Sequence, residues 1–302
     1  MVSTALVLLL ALAGIWAYTP DIPRATLEQR YATSPADFAS VDGMRLHLRD
    51  SGPKDAPAVI LLHGFGGSLH SWEAWAQGLQ TTHRVVRYDQ PGAGLSAPDR
   101  LGRYTDERGM QVLAALMDQL GLQRASIVGH SMGGRLAWRF AAEQPQRVHK
   151  LVLVAPDGFA SPGFGYGKAP DVGWTLGLLR WTLPKPLLRA TLAPAYADPA
   201  ALTDAQVDRY HALMLAPGNR DALLARLGQL VLQPPQPFLA RITAPSLLLW
   251  GDADAMIPVA NAADYQAAIP QARLLRLPGV GHLPQEEAPA ASLAAVAAFL
   301  QD

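Results

Sequence analysis

The sequence predicts an α/β fold: a mostly parallel sheet flanked by helices, with a helical cap inserted before its last strands. From about residue 38, short apolar runs bounded by turn residues alternate with amphipathic stretches, the pattern of a sheet covered by helices. The runs are near-continuously apolar, as expected of strands buried on both faces. One stretch, 159–240, breaks the alternation with Pro and Gly clusters around four helical candidates and no convincing strand.

Taken in order, MRLHLRD (44–50) alternates like an edge strand, while AVILLHG (58–64), RVVRYD (84–89), ASIVGH (125–130) and KLVLVAP (150–156) read as buried parallel strands. SLLLWGD (246–252) and ARLLRL (272–277) continue the series. Helical segments fall at about 105–120, 132–144, 258–268 and 285–300. The core is thus expected over 38–158 and 241–302, with the cap at 159–240 and a linker at 20–37.

Residues 1–19 stand apart. Met1 to Tyr18 carry no charged side chain, and Val2 to Tyr18 form an apolar stretch of the minimum length for a bilayer. Trp16 and Tyr18 lie at its end, and Pro20 and Pro23 stop a helix there. The expectation is a single N-terminal membrane anchor, on an undetermined side of the membrane. Two alternatives compete: a cleaved signal ending near Ala11-Leu12-Ala13, which would make the protein secreted or periplasmic, and a buried N-terminal helix.

The composition excludes several classes of function. Lys and Arg balance Asp and Glu at 25 each, which argues against a nucleic-acid binder. Hydrophobic residues make up 50% and charged residues 17%, which excludes disorder over most of the chain. There is no cysteine, so a disulfide framework, a thiol nucleophile and a thiolate metal site are ruled out. With no H-E-x-x-H and no tight His/Asp cluster, neither a cofactor nor a metal is expected. No protein partner is indicated.

The most informative residues are Gly129-His130-Ser131-Met132-Gly133, where a strand hands over to a helix. A nucleophile on a tight strand-to-helix turn takes strained backbone geometry. The positions two before and two after it must lack a Cβ so that strand and helix can approach. The helix start also directs free N–H groups at the place where an oxyanion would form.

With this elbow and four further motifs, the chain resembles the α/β-hydrolase superfamily over about residues 40–300. The motifs are His63-Gly64-Phe65-Gly66-Gly67, Asp89-Gln90-Pro91-Gly92-Ala93-Gly94-Leu95-Ser96, Trp250-Gly251-Asp252-Ala253-Asp254 and Gly281-His282. The resemblance implies an eight-stranded sheet and a nucleophile, acid and histidine in that chain order, here Ser131, Asp254 and His282.

Chemistry supports each assignment. Serine needs a base to attack near neutral pH, and imidazole can both take and return a proton. His282 lies in a Gly-flanked loop after the last strand, at the sheet end where Ser131 emerges. His47, His83, His149 and His211 are more simply surface or packing residues; His130 should point away from the elbow, and His63 should shape its loop. For the acid, Asp157, Asp252 and Asp254 all stand near strand ends, and the family pattern selects Asp254. The oxyanion donors implied are the backbone N–H groups of Phe65 and Met132. The Asp89–Ser96 segment reads as structural.

The cap suggests an apolar substrate. Trp174 and Trp181 crowd one helical candidate with several leucines, and Trp72 follows the His-Gly loop; these three are the candidate substrate-binding residues, although an apolar underside is also what packing alone requires. The expected activity is serine hydrolysis of carboxylic esters with apolar acyl or aromatic groups, of carboxylesterase or monoacylglycerol-lipase type. Carbon–carbon bond hydrolysis or perhydrolysis on the same three residues is the alternative. A catalytically silent binding protein of this fold is a third.

Overall fold

The computed structural model describes residues 17–161 and 164–301. Its centre is an eight-stranded sheet ordered β1-β2-β4-β3-β5-β6-β7-β8. The strands are β1 (Phe38–Val41), β2 (Met44–Ser51), β3 (Ala58–Leu62), β4 (Arg84–Tyr88), β5 (Ala125–His130), β6 (Val148–Val154), β7 (Ser246–Gly251) and β8 (Arg273–Leu277). β1 pairs β2, and β2 pairs β4, in antiparallel fashion; every later pairing is parallel. The sequence reading omitted β1. Its signal was the Asp42-Gly43 pair, whose two positive φ angles close a tight hairpin into β2.

Period-two alternation divides the apolar strand residues between two cores. Ile60, Leu62, Leu151, Leu153, Leu248 and Trp250 enter one core, which also holds Trp138, Phe140 and Tyr265. Val59, Leu61, Val152, Val154, Leu247 and Leu249 enter the other, with Trp72, Trp75, Leu79, Val296 and Phe299. Helices α1 (Arg24–Tyr31), α2 (Glu73–Leu79), α3 (Asp106–Gln119) and α4 (Met132–Glu143) precede the cap segment. Within that segment lie α5 (Lys185–Leu192), α6 (Asp204–Met214) and α7 (Asn219–Gly228), and α8 (Asn261–Ala268) and α9 (Pro289–Gln301) complete the core.

The segment 20–37, expected as a linker, folds onto the body. Its α1 buries Leu27 against Leu95, Ala212 and Leu213, and Arg24 donates to the carbonyls of Leu95 and Pro217. It therefore joins the core to α6 of the cap segment.

The expectation of a membrane-anchored chain is corrected. No helix among the described residues is long and apolar enough to cross a membrane. Residues 1–16, which carried most of that expectation, lie outside the described residues. The end of the expected span is bonded to the cap segment: Thr19 donates its N–H to the Trp181 carbonyl at 2.8 Å, and its hydroxyl accepts the Leu183 N–H at 3.0 Å.

Candidate active site

Ser131 joins β5 to α4 with φ 54° and ψ −121°, a left-handed conformation that a residue with a Cβ rarely holds. The neighbouring glycines permit it. A Cβ on Gly129 would lie 2.2 Å from the Gly133 carbonyl oxygen, and one on Gly133 would lie 2.4 Å from that of Leu62. The turn is pinned by the Ser131 N–H donating to Val154 O at 3.0 Å, while Ser131 O accepts from Asp157 N at 3.1 Å. Met132 opens α4, so its N–H is one of the donors a helix start leaves free.

The three separated residues converge at this end of the sheet. His282 Nδ1–H donates to Asp254 Oδ2 at 2.8 Å, and both side chains are buried. The other oxygen, Asp254 Oδ1, accepts the N–H groups of Met256 (2.8 Å) and Ile257 (2.9 Å), which fixes the carboxylate plane. Of the three candidate acids, only Asp254 meets His282. Asp252 pairs with Arg276 at 2.6 Å, and Asp157 takes both its bonds, each 2.6 Å, from Arg135 Nη1. Burial pushes the Asp157 carboxyl up from its ordinary value, against the pull of Arg135. Ser131 and His282 face one cavity. The Ser131 hydroxyl has no hydrogen-bond partner among the described residues; catalytic contacts of this kind commonly close only when substrate binds.

Neighbouring groups hold the histidine loop. His282 N donates to the Ala195 carbonyl at 2.7 Å, and its own carbonyl accepts from His130 Nε2 at 2.8 Å. The His130 ring lies with its centroid 4.6 Å from that of His282 and serves as a neutral prop: burial, and the like charge His282 can carry, hold it well below the usual imidazole range. This role was not read from the sequence. His63 braces its loop, with Nδ1 on Gly64 O at 2.8 Å and Nε2 accepting Gln90 N at 2.9 Å.

His47, read as a surface or packing residue, is fully buried and bonds Asp89 at 2.7 Å. Asp89 also accepts the N–H groups of Leu69 (2.7 Å) and Leu95 (2.8 Å), so it ties β2, the His-Gly loop and its own motif into one frame. Burial would raise the Asp89 carboxyl, but the adjacent His47 outweighs it, and the pKa falls to about 2.

The cavity beside Ser131 measures ≈ 190 Å³. Its apolar wall includes Phe65, Phe159, Phe164, Leu227, Leu230 and Ile257. The candidates Trp72, Trp174 and Trp181 are corrected, since none of them lines it. Trp72 is 0% exposed and packs at a tilt against Trp75, ring centroids 5.1 Å apart, in the core on one face of the sheet. Trp174 and Trp181 are 80% and 62% exposed on the outside of the cap segment. A four-residue helix such as Trp174–Gly177 is too short for its periodicity to show which side faces inward. The sequence reading also missed the polar end of the cavity, formed by Arg135, Asp157 and Arg226. No group of three or more His, Asp or Glu among the described residues is arranged to hold a metal ion.

A family model described as alpha/beta hydrolase fold matches residues 57–289. The chain belongs to the α/β-hydrolase family. Among relatives of this α/β-hydrolase is the dihydrolipoyllysine-residue acetyltransferase component of the acetoin cleaving system of Cupriavidus necator. It is 33% identical over 88% of this chain and 69% of its own length. A 2-hydroxy-6-oxononadienedioate/2-hydroxy-6-oxononatrienedioate hydrolase of Cupriavidus pinatubonensis is 34% identical over 80% of this chain and 86% of its own. Among solved structures, a hydrolase from Pseudomonas aeruginosa superposes with a TM-score of 0.75 at 30% identity. That match covers 88% of this chain and 98% of the other.

Proposed function

We propose that this α/β-hydrolase cleaves carboxylic esters through an acyl-enzyme on Ser131. The observation that carries the reading is the 2.8 Å bond from His282 to Asp254, made where His282 shares a cavity with the strained Ser131. His282 Nε2 takes the hydroxyl proton as Ser131 Oγ attacks the ester carbonyl. On this reading the Phe65 and Met132 N–H groups receive the resulting oxyanion. Collapse breaks the carbon–oxygen bond, and His282 returns the proton to the departing alcohol. Water then attacks the acyl-enzyme with His282 again as base, giving the acid and free Ser131. Asp254 holds the imidazole in the tautomer that presents Nε2 to Ser131. The apolar cavity wall suits an acyl chain or an aromatic group.

Hydrolysis of a carbon–carbon bond is the second reading, favoured by the Cupriavidus pinatubonensis relative, whose named substrate is a 2-hydroxy-6-oxo dienedioate and not an ester. A fluorophosphonate probe and a panel of p-nitrophenyl esters separate the possibilities. Labelling of the wild type and not of Ser131→Ala, with turnover of the panel, supports ester hydrolysis. Labelling without turnover moves the reading to carbon–carbon cleavage. A folded wild type that neither labels nor turns over any ester would indicate a silent binding protein.

A further inference from the structure

We infer that a second, basic chamber beside the oxyanion loop receives a carboxylate carried by the substrate, so that the preferred ester is apolar on one side of the scissile carbonyl and anionic on the other. This rests on the reading of Ser131 as nucleophile.

The chamber measures ≈ 30 Å³, room for about two waters and hence for a carboxylate group. Gly64, Gly66 and Met132 line it together with Asn219, Arg220 and Arg226. Met132 and Arg226 also line the larger cavity that holds Ser131, so the two spaces adjoin at the residue proposed to hold the oxyanion.

Two arginines line it and no Asp or Glu does; Arg220 is ion-paired with Asp21 from outside the lining, which leaves Arg226 as the cation without a carboxylate partner among the described residues. Arg220 is 6% exposed. Its Nη2 donates to Asp21 at 2.6 Å, while Nη1 is buried without a hydrogen-bond partner. A charged donor left unpaired in the interior is costly, and an anion would satisfy it. Beside it, Asn219 gives Nδ2 to the carbonyls of Gly94 and Leu213, and its Oδ1 is a buried acceptor without a partner.

Arg226 donates to Pro91 O at 2.7 Å and to Gln90 Oε1 at 3.5 Å, and it lies over the Tyr104 ring at 5.1 Å. No carboxylate among the described residues pairs with it, and a guanidinium has more donors than these two acceptors use. Burial first, and the like charge of Arg135, lower its pKa to about 10, which leaves it a cation at neutral pH.

The nearby acids are already answered. Asp89, behind Gly94, is held by His47 and two backbone N–H groups. Glu286 is held by Tyr196, Gln206, Arg209 and Tyr210.

The test is steady-state kinetics at fixed ionic strength with mono-aryl esters of succinic and adipic acid, each compared with its methyl-capped neutral counterpart. The wild type should favour at least one carboxylate ester in kcat/KM by about tenfold, and added salt should shrink that preference. The preference should collapse toward unity in Arg220→Met and Arg226→Met and persist in part in Arg226→Lys. Each preference is a ratio within one protein, so partial misfolding cancels; should a methionine variant not fold, the wild-type ratio and its salt dependence decide. A wild-type ratio at or below unity for both acids overturns the inference, as does a ratio untouched in both methionine variants. If Ser131→Ala hydrolyses these esters as fast as wild type, the proposed nucleophile falls instead.

Discussion

The Glu287 carboxylate accepts the backbone N–H of Gly281, immediately before His282, at 2.6 Å. Its other oxygen accepts the N–H groups of Ala197 (2.9 Å) and Asp198 (3.2 Å) in the cap segment. With Ala195 O bonding His282 N, this couples the position of the imidazole to the cap. Glu287→Ala is expected to lower kcat by about ten- to a hundredfold, since small misplacements of a catalytic group are costly. KM should change less, and Glu287→Gln, which keeps an acceptor, should recover part of the loss. Equal losses in both variants would argue against this positioning role.

Asp254→Asn leaves the shape of the site and removes the charge that orients His282. Under the proposed mechanism kcat should fall by about 10⁴, the scale measured for the equivalent change in a serine protease. Near wild-type turnover of p-nitrophenyl esters would reject the assignment.

Gly133→Ala tests the packing of the elbow. The new Cβ would meet the Leu62 and His63 carbonyl oxygens at 2.4 and 2.5 Å, and backbone cannot move away as a flexible side chain would. A destabilisation of about 3 kcal/mol or more is expected, read by urea unfolding. Gly66→Ala is the contrast: a Cβ there meets nothing within 4 Å, so its cost is confined to the positive φ of 66°.

Asp89 sets an acid limit on stability. Its folded pKa of about 2 lies below its ordinary value, so its contribution is complete above roughly pH 4 and is lost as pH falls toward 2. Unfolding curves of wild type and Asp89→Asn over pH 2 to 6 should therefore differ most at the upper end and converge at the lower. A gap of constant size across that range would count against an ionised Asp89 as the source of the stability.

Leu230 lines the large cavity and Trp174 does not. Leu230→Trp should shift the ester profile toward shorter acyl chains, while Trp174→Ala should change kcat/KM by less than about twofold. The reverse pattern would place the acyl group on the outer face of the cap segment.

Much of the frame was written locally. Parallel strands buried on both faces read as apolar runs because each residue has a core on its own side, and the elbow showed itself because Gly129 and Gly133 have no room for a Cβ. The hairpin at Asp42-Gly43 was equally local and was passed over. The N-terminal span was inferred from an uncharged apolar length and the aromatic and proline residues at its end, signals that carry no information about Thr19 bonding the cap segment.

What the sequence determined by itself was the α/β alternation, the strand-to-helix turn that strains Ser131, and a short set of residues able to serve beside it. Tertiary structure decided which acid meets His282, by sending Asp157 to Arg135 and Asp252 to Arg276. It also decided which apolar cap residues face inward and that Arg220 and Arg226 gather beside a loop more than a hundred residues earlier. The reason is physical: backbone strain and strand burial are set by near neighbours in the chain, whereas ion pairing and cavity lining depend on side chains that only the closed fold brings together.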